Sequence, residues 1–405
     1  MSAEPSTADV EWKPDDSFAG VATSPTEGLG GRYRALISRC PVAHIPASGI
    51  EGGTVDYWAV LGFDELARSA RDFKTFSSIY KESGPRILPL QSDPPEHAFY
   101  RRPLNRYFDA EAMSAKEKEV EPIAVEMIEA MVDAGEAEFL DAFAYPFPIR
   151  TLCRFLGVSD EDWEMHHEWV MDMERVTGGG VANDEEAIPP ELAMRIMPYI
   201  QKVVAARRAE PLDDIVTGMT EMEVEGRRLD DMEVGFLMMT FIMAGHFTTT
   251  AGLGNLVQRL AVDPELQSFL RANPDRIPDA VEESLRFDAP QQAIPRRCVQ
   301  DVELGGQTIK AGDSVLFNFG SANLDPAHWE NPEVFDVDRE DKRHVGFGRG
   351  IHRCIGAPLA RMEMALVTRE LLARTSSFEI AGPVKRSVWP RLAPLELPLG
   401  LKPAV

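Results

Sequence analysis

The sequence predicts a mainly α-helical protein with small β-sheets, and three observations carry that prediction. Residues 231–262 form one long, almost wholly apolar helical stretch. Residues 112–156 and 159–210 keep a helical pattern with only local breaks. Strand signals are short and late: 301–319, then near 378–380 and 395–399, with one earlier run at 54–61.

Composition sets the outer bounds. A chain of 405 residues with 44% hydrophobic side chains can bury a large core. Forty-two basic against 66 acidic side chains leave a formal net charge of −24. That balance disfavours non-specific binding to nucleic acid or to an anionic membrane. No run of 18 apolar residues appears, so no spanning helix is expected. The polar start, Met1 to Asp16, lacks the basic-then-apolar layout of a secretion signal. The expectation is a soluble, cytoplasmic monomer. Its four cysteines, Cys40, Cys153, Cys298 and Cys354, form no CxxC pair and no zinc pattern.

Taken in order, residues 1–30 read as a loosely ordered arm and 31–405 as one domain. Tyr33–Ile37 reads as a short helix, and Phe63–Arg71 as another. Two prolines and a glycine keep Gly84–Leu90 irregular, either a loop pinned by its own side chains or a pocket lid. Ser92-Asp93-Pro94-Pro95-Glu96 reads as a helix start, with Ser92 or Asp93 as cap. His97 and Arg101 then share a face at i and i+4. Gly135 and Pro146/Pro148 interrupt the next helical region. Gly178-Gly179-Gly180 and Pro189-Pro190 interrupt the one after, leaving a mobile connection beside the helices.

The 231–262 helix starts at a capping box, Asp230 with Glu233, and stops at Asp263-Pro264. It should span roughly 45–50 Å and run through the centre. Gly245 and the run Thr248-Thr249-Thr250 weaken its middle. That weakness fits a local opening, or a crossing where small residues let helices approach. Glu283 and Arg286 pair at i, i+3 on a later helix.

Near the C-terminal end stands Phe347-Gly348-Arg349-Gly350-Ile351-His352-Arg353-Cys354-Ile355-Gly356. Its glycines let the backbone bend sharply, and a helical run follows directly. A thiolate at a helix N-terminus is favoured by the dipole and free N–H groups. Alone, Cys354 reads as a buried small hydrophobe, as most single cysteines do. The pattern around it reverses that weighting.

Together and in this order, these stretches resemble the cytochrome P450 family, soluble bacterial type, over about residues 30–400. The Phe347–Gly356 loop resembles its haem-thiolate signature. Glu283 and Arg286, with Arg339, resemble its buried salt-bridge cluster. Asp93–Arg101 resembles its haem-flanking helix, and Ala142–Pro148 a segment of the camphor hydroxylase branch.

The resemblance implies a triangular prism with haem b (iron protoporphyrin IX) between the central helix and the Cys loop. Cys354 would be the axial thiolate, pushing electron density towards O–O cleavage. His97, Arg101, Arg296 and His352 would neutralise the propionates. Arg297 competes for the Arg296 role. Phe347, Gly348 and Gly356 would shape the loop, and Ala244 and Gly245 would leave room for O2. Thr248 and Thr249 are the catalytic candidates. Matched positions give a pocket of Ile87, Leu88, Leu90, Thr240, Met243, Phe247, Gln292, Ala293, Ile294, Arg391 and Leu392.

One position departs from the family. Phe247 stands where an acid normally precedes the threonine, and phenylalanine cannot carry a proton. His246 reads as a packing histidine. Pro85 replaces the tyrosine that would hydrogen-bond camphor.

The implied activity is insertion of one oxygen atom from O2 into a compact hydrophobic substrate, a terpenoid or small aromatic. No reductase domain fits in the chain, so electrons would come from a separate ferredoxin, of the [2Fe-2S] type, with its reductase. A local basic patch would receive it. The alternatives are a peroxide-driven or non-oxygenating haem enzyme, and a non-catalytic haem-binding protein.

Overall fold

The computed structural model describes residues 27–45, 56–80, 86–177, 189–387 and 390–404. The fold is mostly helical (56%) with small sheets, as expected. Its helices are α1 Glu27–Ile37, α2 Phe63–Ser69, α3 Glu96–Leu104, α4 Ala110–Ala134, α5 Pro146–Leu156, α6 Trp163–Thr177 and α7 Pro190–Ala209. There follow α8 Ile215–Thr220, α9 Asp231–Val262, α10 Pro264–Ala272, α11 Ile277–Phe287, α12 Phe319–Ala322 and α13 Ala357–Arg374. Helix α1 takes in the last residues of the expected arm. The Gly178–Gly180 connection and Gly84-Pro85 lie outside the described residues.

Helix α9 has the expected boundaries for the expected reason. Glu233 N–H donates to Asp230 Oδ1 (2.9 Å), and Asp230 N–H to Glu233 Oε2 (2.8 Å). It is long and apolar enough to cross a membrane, but 67% of its most apolar window is buried inside the protein. It is therefore a core helix, packed by α5, α7, α11 and α13. The expected opening at its middle is absent. The helix runs unbroken, and Thr248 Oγ1 donates to the Ala244 carbonyl at 2.9 Å. Gly245 follows the crossing alternative, since a Cβ there would lie 3.3 Å from Leu152 Cδ1 of α5.

Two other local expectations change. Asp93 does not cap α3. Its carboxylate accepts from Ser77 Oγ (2.5 Å) and Ser78 N–H (3.1 Å), while Ser92 Oγ donates to the Pro89 carbonyl. Pro146 and Pro148 begin α5 rather than break a helix, as proline suits a first turn.

The largest sheet has five strands in the order Val42–Ile45, Tyr57–Val60, Ser314–Asn318, Ala293–Cys298 and Phe76–Ser77. The strand Ala293–Cys298 escaped the sequence reading because Pro295 and two arginines hide its alternation. In it, Arg296 faces Val315 and Arg297 faces Ser314, so the two arginines project from opposite faces. A second sheet joins Thr375–Ile380, Pro398–Pro403 and Glu136–Glu138.

Candidate functional site

Residues 345–357 form a turn that brings Cys354 to the start of α13. Cys354 N–H donates to the Phe347 carbonyl at 2.8 Å, closing the loop. Gly348 and Gly350 have φ of +67° and +72°, where side-chain residues are strained. At Gly350 a Cβ would also lie 2.1 Å from the Ala70 carbonyl oxygen, so the loop docks tightly beyond the end of α2. Gly356 has an ordinary φ of −75°, but a Cβ there would lie 3.8 Å from Cys354 Sγ. The glycine keeps that side of the sulfur clear.

Cys40, Cys153 and Cys298 are buried, whereas Cys354 is exposed. Dense protein nevertheless surrounds its sulfur, and burial pushes the thiol up. The backbone amides of Gly356 and Ala357, with the charges of Arg101 and Arg361, favour the thiolate in opposition. Arg361 also stacks 4.5 Å from the Phe347 ring centroid and makes a two-pronged pair with Glu282 of α11.

Two arginines, Arg101 and Arg296, and two histidines, His97 and His352, converge near this loop. The His97 and His352 rings meet edge to face at 4.4 Å. His352 sits at about 3, pushed down by burial and then by the charges of Arg296 and His97. Its Nε2 is buried with no hydrogen-bond partner among the described residues. Burial also lowers His97 and Arg101, and takes Arg296 down to about 10. Two buried guanidinium charges beside two neutral imidazoles suit anionic partners, whose charge would also favour protonation of the histidines.

Across from the loop, α9 presents Ala244 and Thr248, both exposed although the helix around them is buried. They lie one turn apart, and Phe247 shares their face. Met243, Phe247, Leu88 and the loop's own Ile355 pack against one apolar cluster. Arg391 stands over Phe247, its Cζ 4.9 Å from the ring centroid. An exposed cysteine at a helix start, two arginines and two histidines gathered beside it, and an exposed stripe on a core helix fit a flat, anionic, iron-bearing group.

The other expected site residues differ in burial and bonding. Gln292 is sealed: its Oε1 accepts from Tyr33 Oη (2.8 Å), and its Nε2 donates to the Ala289 carbonyl (2.5 Å). A Cβ on Gly320 would lie 1.8 Å from that same oxygen. Leu392 is buried in a separate cluster with Tyr33 and Leu316. Thr240 is buried, and its hydroxyl donates back to the Phe236 carbonyl at 3.0 Å. Thr249 is buried too, turned about 100° from Thr248 around the helix axis. Ile294 is half-buried within the five-stranded sheet, paired with Phe317. Ile87 is half-buried, while Leu90 is 48% exposed. His246 packs: it is fully buried, its Nε2 bonds the Tyr145 carbonyl at 3.0 Å, and burial holds it at about 3.

Behind the loop, Glu283, Arg286 and Arg339 form a buried cluster. Arg286 Nε and Nη2 donate to the two Glu283 oxygens at 2.8 and 2.7 Å. Arg339 Nε lies 3.2–3.3 Å from both. The remaining donors are satisfied by the carbonyls of Asn323, Glu330, Asn331, Pro332 and Val334. Asp336 N–H completes Glu283 at 2.8 Å. These bonds pin the 323–339 segment beneath α11. Asn323 Oδ1 then takes the N–H of Val345, at the entry to the Cys loop.

The comparisons agree with this architecture. The family model described as Cytochrome P450 matches residues 113–393. The chain is 32% identical over 393 residues to the mycinamicin IV hydroxylase/epoxidase of Micromonospora griseorubida, covering 92% of this chain and 95% of that protein. It is 30% identical to the 6-deoxyerythronolide B hydroxylase of Saccharopolyspora erythraea, covering 88% and 84%. The solved structure of CYP108D1 from Novosphingobium aromaticivorans superposes with a TM-score of 0.83 at 30% identity, over 93% of this chain and 95% of that one. The chain belongs to the cytochrome P450 family. It is accordingly an oxidoreductase of the monooxygenase type, with haem b as cofactor.

Proposed function

We propose that the chain inserts one oxygen atom from O2 into a compact hydrophobic substrate, using electrons from a separate [2Fe-2S] ferredoxin and its reductase. The observation that carries this reading is the exposed Cys354, its sulfur faced by two backbone amides, with Arg101, Arg296, His97 and His352 gathered near its loop. Cys354 ligates the iron. His97, Arg101, Arg296 and His352 take the propionates, which supply the negative charge this cluster calls for. Arg296 fits better than Arg297, because its charge is felt at His352.

When bound, haem supplies the activation of dioxygen. The chain's residues bind, orient and exclude water around it. Leu88, Met243 and Phe247 form the apolar wall, and Thr248 offers the one accessible hydroxyl of the threonine run. That hydroxyl now bonds the Ala244 carbonyl, and a χ1 rotation releases it.

Electron delivery is supported by a basic patch in a strongly acidic protein. Arg68, Arg71, Arg343 and Arg353 are exposed. Arg349 stands among them, held below the ordinary arginine value by burial and then by the charges of Arg71 and Arg343. An acidic ferredoxin suits this surface beside the Cys loop. Phe247 supports a second reading, turnover driven by peroxide. Product formation with NAD(P)H, ferredoxin and reductase, compared with hydrogen peroxide alone, separates them. The first reading expects the reconstituted system to exceed peroxide, and the opposite order overturns it.

A further inference from the structure

Glu282 precedes the buried Glu283 on α11 and stands about 100° from it around the helix axis, on the side of the Cys loop. Its side chain is 20% exposed and meets partners from two other segments. Arg361 of α13 donates to both carboxylate oxygens, Nη2 to Oε2 at 2.8 Å and Nε to Oε1. His344 Nε2 lies 3.2 Å from Oε2. The other ring nitrogen, Nδ1, accepts the Gly346 N–H at 3.0 Å. The neutral ring therefore carries its proton on Nε2 and donates it to Glu282. Both partners also lie against Phe347. The Arg361 Cζ is 4.5 Å from that ring centroid, and the His344 ring is 5.9 Å from it. Phe347 in turn accepts the Cys354 N–H at 2.8 Å. A Cβ on Gly346 would lie 2.7 Å from the Leu285 carbonyl oxygen, so this end of the loop is pressed against α11 itself. One carboxylate thus fixes two groups that lie against the residue bonded to Cys354.

We propose that Glu282 is a positioning residue for the Cys354 thiolate: it holds Arg361 over Phe347, offsets the Arg361 charge, and so sets the reduction potential of the iron that Cys354 ligates. The inference rests on the reading of Cys354 as that ligand. Arg361 acts on the sulfur through its charge, which favours the thiolate. A positive charge at this point also favours the reduced form, which holds one more electron, and so raises the potential. The Glu282 carboxylate opposes it from within the same two-pronged pair. Glu282 is 20% and Arg361 30% exposed, so salt screens the pair less than it would a surface pair. The two charges act on the iron with opposite signs, and neither has to touch it. A residue that served packing alone would carry no such sign.

The test is a redox titration of the haem-loaded full chain at neutral pH, without substrate, followed at the Soret band. Glu282→Gln is expected to raise the midpoint by at least about threefold in the reduced-to-oxidised ratio, which is about 28 mV for one electron. Arg361→Met is expected to lower it by a similar amount. The double variant should return to within about twofold of the wild type. Shifts of the same sign in the two single variants overturn the proposal, as does the absence of a shift in either. A double variant displaced as far as a single one overturns it too. Should one single variant fail to hold haem, the other must still shift in its stated direction and the double variant must return towards the wild type. Should both fail, the double variant alone decides, by matching the wild type or not. Loss of haem from all three shows a role in folding only and overturns the proposal. The spectrum of the reduced, carbon monoxide-treated wild type reports thiolate ligation separately. An intact thiolate signature without opposed shifts sinks this inference alone, whereas absence of the signature sinks the proposed function.

Discussion

The Arg391 guanidinium lies 4.9 Å from the centre of the Phe247 ring, so a cation faces the helix position where the family usually places an acid. The two residues are 144 positions apart in sequence (391 − 247) and meet over the accessible stripe of α9. Phe247→Glu is expected to raise ferredoxin-driven turnover by about tenfold or more, because it restores a group able to carry protons. Peroxide-driven turnover, which brings its own protons, should change little. Product yields from the two reactions, measured on wild type and variant, check this.

Glu283 accepts from two arginines and one backbone amide while almost wholly buried. Glu283→Gln leaves Arg286 without its counter-charge in the interior. The expected cost is about 3–5 kcal/mol, together with loss of haem retention, because Asn323 and the Cys loop depend on that segment. Urea unfolding and the haem-to-protein absorbance ratio measure both effects.

Gly350→Ala tests the docking of the loop. Its φ of +72° and the backbone oxygen 2.1 Å from an added Cβ leave nothing flexible to yield. The expected loss is at least about 2 kcal/mol, seen as a lowered Tm and reduced haem incorporation. Unchanged Tm would show that the loop does not sit as described.

His246 gives the acid side of the stability profile a definite shape. Burial, with the charge of His167, holds it at about 3, against the bond to Tyr145. The unfolded chain takes up a proton below about pH 6.5, whereas the folded chain refuses it until about pH 3. The stability it contributes is therefore whole above the unfolded value and is lost as pH falls across that window. The ring is faced by Tyr145 and His167, and Asp141 in turn acts on both. Between pH 7 and pH 5, wild type should lose about 2 kcal/mol more than His246→Leu. Parallel urea titrations at the two pH values make the comparison, and equal losses would contradict it.

What the sequence made legible were features whose chemistry is local or whose spacing is rigid. The ends of α9 follow from Asp230, Glu233 and Asp263-Pro264, and all three act within one turn. The Glu283 cluster could be read because Arg286 sits one helical turn on and Arg339 was matched by resemblance. Orientation was not legible. Matched position gave Gln292 and Leu392 as pocket residues, but nothing in the chain showed that Tyr33, distant in sequence, bonds the Gln292 amide and packs in the same cluster as Leu392. Gly245 was read as room for oxygen, while its missing Cβ admits Leu152. Thr248 and Thr249 look equivalent in the chain, and only the helix phase separates them. The stacking of Arg391 on Phe247 left no local signal, since neither residue's neighbours point to the other.

The most direct test of the whole account is the absorption spectrum of the reduced, carbon monoxide-treated protein. With Cys354 as the iron ligand, the Soret band should stand at the long-wavelength position diagnostic of thiolate ligation, and Cys354→Ala should abolish it. A thiolate-type band that persists in Cys354→Ala, or is missing from the haem-loaded wild type, would contradict the assignment.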